Sequence, residues 1–260
     1  MLLLYLSTGA IAGVMAGLLG VGGGLIIVPT LLWSFNHLDI ATDHGMQVAV
    51  GTSLATIVIT SLSSIIAHHR RGAILWGTVR DLTPGILVGA IFGAIVADYL
   101  PTHILQMVFA AFVLLVALQM MLGKAPSPHR QLPGTKAMKA AGSAIGSLSA
   151  VVGIGGGSLT VPFLAYCNIN MQKAVATSSA CGLPIAIAGS IGFGITGLNE
   201  SGLPAWSSGY IYWPAFAGIT IASALFAPLG ARLAHALPVA ILKQVFGVLM
   251  LLMGIKMFAS

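Results

Sequence analysis

Apolar residues run along this chain in long blocks, parted by short polar seams. Eight blocks can be read, at 1–35, 45–67, 82–100, 103–122, 140–167, 173–197, 209–234 and 238–258. An apolar helix of about 20 residues crosses a bilayer, so the pattern predicts an all-α polytopic membrane protein. The blocks take up nearly the whole chain, leaving no stretch for a soluble domain. Blocks 1–35 and 140–167 are each broken by a glycine cluster.

The two clusters are copies. Gly20-Val21-Gly22-Gly23-Gly24 followed by Val28-Pro29 returns as Gly153-Ile154-Gly155-Gly156-Gly157 followed by Val161-Pro162, 133 residues later. Gly9 and Gly13 match Gly142 and Gly146 at the same shift. Residues 46–55 match 171–180 at a shift of 125, with seven identities in ten, so the first half carries the longer loop around Asn36–His44. Leu100-Pro101 matches Leu237-Pro238, and Leu105 and Phe109 match Leu242 and Phe246, at a shift of 137. The chain therefore reads as two homologous repeats, 1–123 and 136–260, joined by a Pro-containing polar linker, 124–135.

Charge votes on how the repeats are related. If each glycine-broken block is a re-entrant hairpin, each half has three crossings and the halves are inverted. Ten of the eleven Lys and Arg residues then fall on one side, with only Lys256 opposite. If each broken block spans once, the halves are parallel and the split is 8 to 3. The positive-inside rule favours the inverted arrangement, with the linker cytoplasmic and Asp39, Asp43 and Glu200 outside.

Composition narrows the function. The chain is 57% hydrophobic and 6% charged, with mean hydropathy +1.01. The net charge of +6 is an orientation signal in loops rather than a nucleic-acid footprint. Cys167 and Cys181 lie in apolar surroundings and make neither a disulfide framework nor a metal spacing. The first 20 residues lack the basic start of a secretory signal and belong to the first repeat, so they read as structure. The seven histidines are scattered. With no metal set, triad spacing or phosphate-binding loop, the expectation is a protein that is not an enzyme and needs no cofactor.

The binding candidates follow from the duplication. Glycine runs break helices, and a broken membrane helix frees backbone N–H groups for a ligand. Gly22, Gly23, Gly24 and Gly155, Gly156, Gly157 are therefore the expected core of a substrate site. Proline at 29 and 162 removes an N–H from each second half-helix. Thr52 and Ser53 return as Thr177 and Ser178, with Ser179 beside them, as hydroxyl donors duplicated along with the glycines; such hydroxyls can also bond their own helix backbone. Gln47 and Gln172 either line the same cavity or face the loops. The four-residue spacing of Gly9/Gly13/Gly17 and Gly85/Gly89/Gly93 places each set on one helix face and reads as close helix packing. His68 to Arg71 read as an interfacial anchor, and Arg232 as a topological charge near a cytoplasmic end. Asp98 is the best-placed acid for an intramembrane role.

The paired GxGGGxxxVP segments, the Ala-Val-x-Thr-Ser of both halves, His-Arg-Arg-Gly at 69–72 and Gly-Tyr-Ile-Tyr-Trp-Pro at 209–214 resemble the TauE/SafE family of membrane permeases. The resemblance covers the chain from end to end. It implies a transporter, most simply an exporter, of small sulfur-containing anions such as sulfite or organosulfonates. The implied location is the cell (inner) membrane, multi-pass, with a homodimer as one expected assembly. Import of thiosulfate-like anions, or a channel-like or accessory membrane component, is the alternative. A site with neutral donors and no carboxylate fits an anion on physical grounds as well.

Overall fold

Among the described residues ten α-helices follow one another: α1 (Leu2–Leu19), α2 (Gly24–His37), α3 (Gly45–His69), α4 (Trp76–Tyr99), α5 (Thr102–Leu122), α6 (Thr135–Val152), α7 (Gly157–Tyr166), α8 (Met171–Thr196), α9 (Trp213–Ala236) and α10 (Val239–Ala259). A short antiparallel ribbon, β1 (Ser207–Ser208) and β2 (Ile211–Tyr212), precedes α9, with Ser207 opposite Tyr212. This computed structural model describes residues 1–20, 22–37, 40, 43–122, 132–236 and 239–259, with the side chains of 122, 235–236, 239–246, 249 and 259 left aside. Sequence expectations about Asp39, most of the 124–135 linker, Leu237-Pro238 and the side chains of Leu242, Lys243 and Phe246 lie outside that description.

The glycine clusters do what the composition requires of them. α1 stops at Gly20 (φ 69°) and α6 at Gly153 (φ 73°), both in the left-handed region. Gly22, Gly23 and Gly156 are left-handed as well, which an L side chain resists. The chain can thus fold back without a loop. The returning helices are short. At about 1.5 Å per residue, the 14 residues of α2 and the 10 of α7 fall short of the ~30 Å hydrocarbon layer.

Small residues then let helices touch. A Cβ on Gly9, Gly13 or Gly17 would collide with the backbone of Ile219, Ser223 or Ala227, so α1 lies on α9 with the two running parallel. Gly85, Gly89 and Gly93 meet Lys139, Ser143 and Ser147 in the same way, so α4 and α6 are also parallel. α3 and α8 run antiparallel: Gly51 faces Phe193, Gly189 faces Leu54, and Ser64 Oγ donates to Ser179 Oγ at 3.3 Å. α5 and α10 are antiparallel too, with Gly254 against Leu114 and Gln106 Nε2 donating to the Met257 carbonyl at 2.8 Å. The α1–α9 contact therefore has its counterpart, with the halves exchanged, in the α6–α4 contact.

The ends of the broken segments have neighbours in the other half. Tyr5 at the start of α1 packs on Gly218 at the start of α9, while Trp33 near the end of α2 lies 6.0 Å from the ammonium of Lys256 at the end of α10. Gln106 near the start of α5 bonds the same end of α10. For the second segment, Lys139 in the first turns of α6 packs on Gly85 in α4, and α8, which follows α7, brings Thr177 to the amide before α4.

Six described helices are long and apolar enough to cross a membrane: Leu2–Leu19, Gly45–His69, Trp76–Tyr99, Thr102–Met121, Met171–Asn199 and Trp213–Ala234. Large apolar side chains such as Leu3, Val88 and Leu225 stand exposed on the outside, as lipid contact demands. The protein is a multi-pass, all-α membrane protein. Two block edges differ from expectation. α4 begins at Trp76, six residues before the apolar block, so Arg80 and Asp81 are helical residues rather than loop. The block at 209–234 opens with the ribbon, because Gly209 is left-handed (φ 55°) and ends any helix there.

Candidate functional site

The two glycine turns meet in the buried interior. A Cβ on Gly22 would stand 3.0 Å from Gly155 Cα, and one on Gly24 would strike the Gly153 carbonyl. Each turn is held by the other half. Ser53 Oγ on α3 donates to the Gly153 carbonyl at 2.8 Å, and Ser178 Oγ on α8 donates to the Gly20 carbonyl at 3.4 Å and to Val175 O at 2.9 Å. Gly153 and Gly20 are the left-handed caps of α6 and α1, so each serine fixes a carbonyl that its helix leaves without a partner.

The threonines make a second crossed pair. Thr52 Oγ1 accepts from the Tyr212 N–H at 2.9 Å, and Thr177 Oγ1 accepts from the Leu75 N–H at 3.1 Å. Tyr212 and Leu75 immediately precede α9 and α4. They stand 137 residues apart, the same shift that relates the late parts of the two halves. Ser179 Oγ donates to Val175 O at 3.1 Å. The expected site residues Gly22–Gly24, Gly155–Gly157, Thr52, Ser53, Thr177, Ser178 and Ser179 are all buried; Ser53, Ser178 and Ser179 lie at the turns, Thr52 and Thr177 bond the segments before α9 and α4 instead, and all five hydroxyls bond protein groups. No described carbonyl accepts from the N–H groups of Gly22, Gly23, Gly24, Gly155, Gly156 or Gly157.

The glutamines lie elsewhere. Gln47 is buried at the α4–α5 corner, with Nε2 donating to the Leu100 carbonyl at 2.8 Å and Oε1 accepting from Thr102 Oγ1 at 2.9 Å. Gln172 is exposed in the first turn of α8, where its backbone N–H donates to the Asn170 cap at 2.9 Å.

Pairwise comparison of the repeats misses three features. Ser149 and Thr160 face the second turn, and both hydroxyls are buried without a hydrogen-bond partner. Their counterparts at the 133-residue shift are Ala16 and Ile27, a mismatch already visible in the alignment of halves. At one end of the molecule, Arg70, Arg71 and Arg232 line a cleft of about 230 Å³ between α3 and α9 together with Ser63, Ile66, Ala67 and Pro228, and no carboxylate lines it. At the other end, Tyr210 OH donates to Asp98 Oδ1 at 2.9 Å and approaches His44 Nδ1 at 3.5 Å, while His44 Nε2 pairs with Glu200 at 3.2 Å. Burial, followed by the Asp98 carboxylate, raises the Tyr210 phenol above its usual range. Asp98 is thus part of a latch that joins α4 to the ribbon before α9. Among the described residues no group of His, Cys, Asp and Glu could hold a metal ion.

Comparisons with known proteins bear on the whole chain. The family model described as "Sulfite exporter TauE/SafE" matches residues 5–257. A "Probable membrane transporter protein" of Haemophilus influenzae is 38% identical over 99% of this chain and 98% of its own length. One from Methanocaldococcus jannaschii is 32% identical over 87% and 81%, and YunE of Bacillus subtilis is 32% identical over 73% and 77%. No solved structure matches.

Proposed function

The chain belongs to the sulfite exporter TauE/SafE family, and from that premise we propose that it exports small sulfur-containing anions, sulfite or organosulfonates, bound between its two halves at the glycine turns. It is a membrane transporter by its relatives and by its apolar helices. The substrate, the direction and the site are the proposal.

One observation carries it. Two helix breaks from opposite halves meet, each with backbone N–H groups that no described carbonyl accepts. Helix N-termini favour negative charge. Ser53 and Ser178 clasp the two turns from opposite halves. None of the chain's five carboxylate side chains belongs to this set of residues. The antiparallel α3/α8 and α5/α10 pairs support inverted repeats spanning 1–123 and 136–260, each opening with a re-entrant segment. Such a design places a site at the repeat interface. The carboxylate-free arginine cleft lies where positive residues cluster, the side that the positive-inside rule assigns to the cytoplasm. An anion gathered there is poised for export.

Flux into and out of proteoliposomes tests this. Sulfite, thiosulfate and a small sulfonate should show saturable flux that competes among them and responds to an imposed proton gradient. Linear, unsaturable flux would mean a channel, and flux of none of the three would end the sulfur-anion reading.

A further inference from the structure

We propose that Ser149 and Thr160 are the side-chain donors that select the anion, and that substrate oxygens are held at the second glycine turn rather than shared equally between the two. The inference rests on the anion-transport reading above and assigns its specificity to two residues outside the duplicated motif.

The geometry is local and unusual. Ser149 is 2% exposed and Thr160 is fully buried. Neither hydroxyl has a partner, although buried hydroxyls are ordinarily paired. Both oxygens lie 3.5 Å from the point where a Cβ on Gly156 would stand, so they converge on one spot beside the N-terminus of α7. Ser149 comes from the last turn of α6 and Thr160 from the first turns of α7, so the two approach the turn from its two arms. The tip of Ile185 covers the same point. That flexible methyl can swing aside to admit a ligand and close over it. The neighbouring N–H groups of Gly155, Gly156 and Gly157 have no described acceptor. Everything convergent there donates, and a group offering several acceptor oxygens and negative charge completes it. The first turn has Ala16 and Ile27 at the equivalent positions, which can make no such bond.

The experiment uses the full chain purified in detergent, with sulfite as probe and chloride as control. Ser149→Ala and Thr160→Val should each weaken sulfite binding about tenfold or more, as loss of a hydrogen bond to a charged group does. Thr160→Ser, which keeps the hydroxyl, should bind nearly as wild type does. Without sulfite, the unfolding temperature of Ser149→Ala and Thr160→Val should hold or rise, because an unpaired buried hydroxyl is removed. If these variants unfold earlier and bind sulfite normally, the hydroxyls hold a structural water and the proposal falls. If wild type binds sulfite and all three variants match it, this inference alone is overturned. If wild type binds neither sulfite, thiosulfate nor a small sulfonate, the transport reading fails first and takes this one with it.

Discussion

Facing Gly23 in the first turn are the backbone and methyl group of Ala12, at 2.9–3.2 Å from an added Cβ; facing Gly156 in the second are the tip of Ile185 and the hydroxyls of Ser149 and Thr160. The backbone event is the same in both halves, a left-handed cap followed by a glycine turn and a proline-bearing short helix. The surroundings are not. The first turn is a packed joint, where backbone meets backbone. The second is lined by adaptable side chains and unpaired polar atoms. Duplication preserved the break in the helix, which the architecture needs twice, and left one copy free to carry polar chemistry.

The largest effects should come from filling the turns. Gly23→Leu and Gly156→Leu should each abolish sulfite flux in vesicles while much of the protein still inserts. Normal flux through either well-folded variant would mean that the turn serves packing alone. Alanine separates the halves. Both positions are left-handed, so each Gly→Ala change costs roughly 1–2 kcal/mol in backbone strain. Gly23→Ala meets the rigid Ala12 backbone as well and should show the larger drop in thermal stability. Gly156→Ala clashes with a flexible side-chain tip, that of Ile185, rather than with backbone, and crowds the Ser149 and Thr160 hydroxyls, so it should lose sulfite affinity more than stability. Equal drops in both quantities for both variants would erase the distinction.

The crossed serines come next. Ser53→Ala leaves the Gly153 carbonyl unpaired in a buried place, which costs about 1–3 kcal/mol. Ser178→Ala should cost less, because its bond to the Gly20 carbonyl is long at 3.4 Å and the hydroxyl also serves Val175. Thermal unfolding of the two purified variants checks the order. A reversed order would mean that the first turn, not the second, depends more on its clasp.

Much of this was legible in the chain because duplication doubles the signal. The glycine breaks, the helix-contact glycines on α1 and α4 and the all-α polytopic class follow from period and spacing. The partners of Thr52 and Thr177 did not. Those hydroxyls are duplicated along with the glycines, yet they bond the amides of Tyr212 and Leu75, which are 160 and 102 residues away. No local pattern encodes such a distance. Ser149 and Thr160 were hidden for the opposite reason: a search for what the halves share passes over what they do not. The α4 start was missed because a membrane helix runs past its apolar core, carrying Arg80 and Asp81 into the interface.

The threonine pair offers a finer comparison. Thr52→Val and Thr177→Val keep the shape and remove the acceptor. Tyr212 is buried and Leu75 only half-buried, so water can replace the lost bond more readily at Leu75. Thr52→Val should therefore cost about 1–2 kcal/mol and Thr177→Val less, read as unfolding temperature. Sulfite affinity is the second readout. If both variants lose affinity about tenfold at unchanged stability, the threonines touch the anion directly, and their bonds to the ribbon and to α4 give way when it binds.

The smallest effect concerns the latch far from the turns. Tyr210 donates to Asp98 as a protonated phenol, and its folded pKa is raised, first by burial and then by that carboxylate. A raised pKa means that the stabilisation is complete below the unfolded value of about 10 and disappears as pH climbs through the folded value. The wild-type protein should therefore lose about 1 kcal/mol of stability under strongly alkaline conditions, beyond what other groups contribute. Tyr210→Phe should lose a similar amount at neutral pH and show a flatter alkaline limb. Melting both proteins between about pH 8 and about pH 11 reads the difference. Parallel curves would show that the phenol's bond to Asp98 does not hold the ribbon against α4. The latch contrasts with the second glycine turn in one respect: its polar atoms are already paired, so breaking it should change stability and leave sulfite affinity where it was.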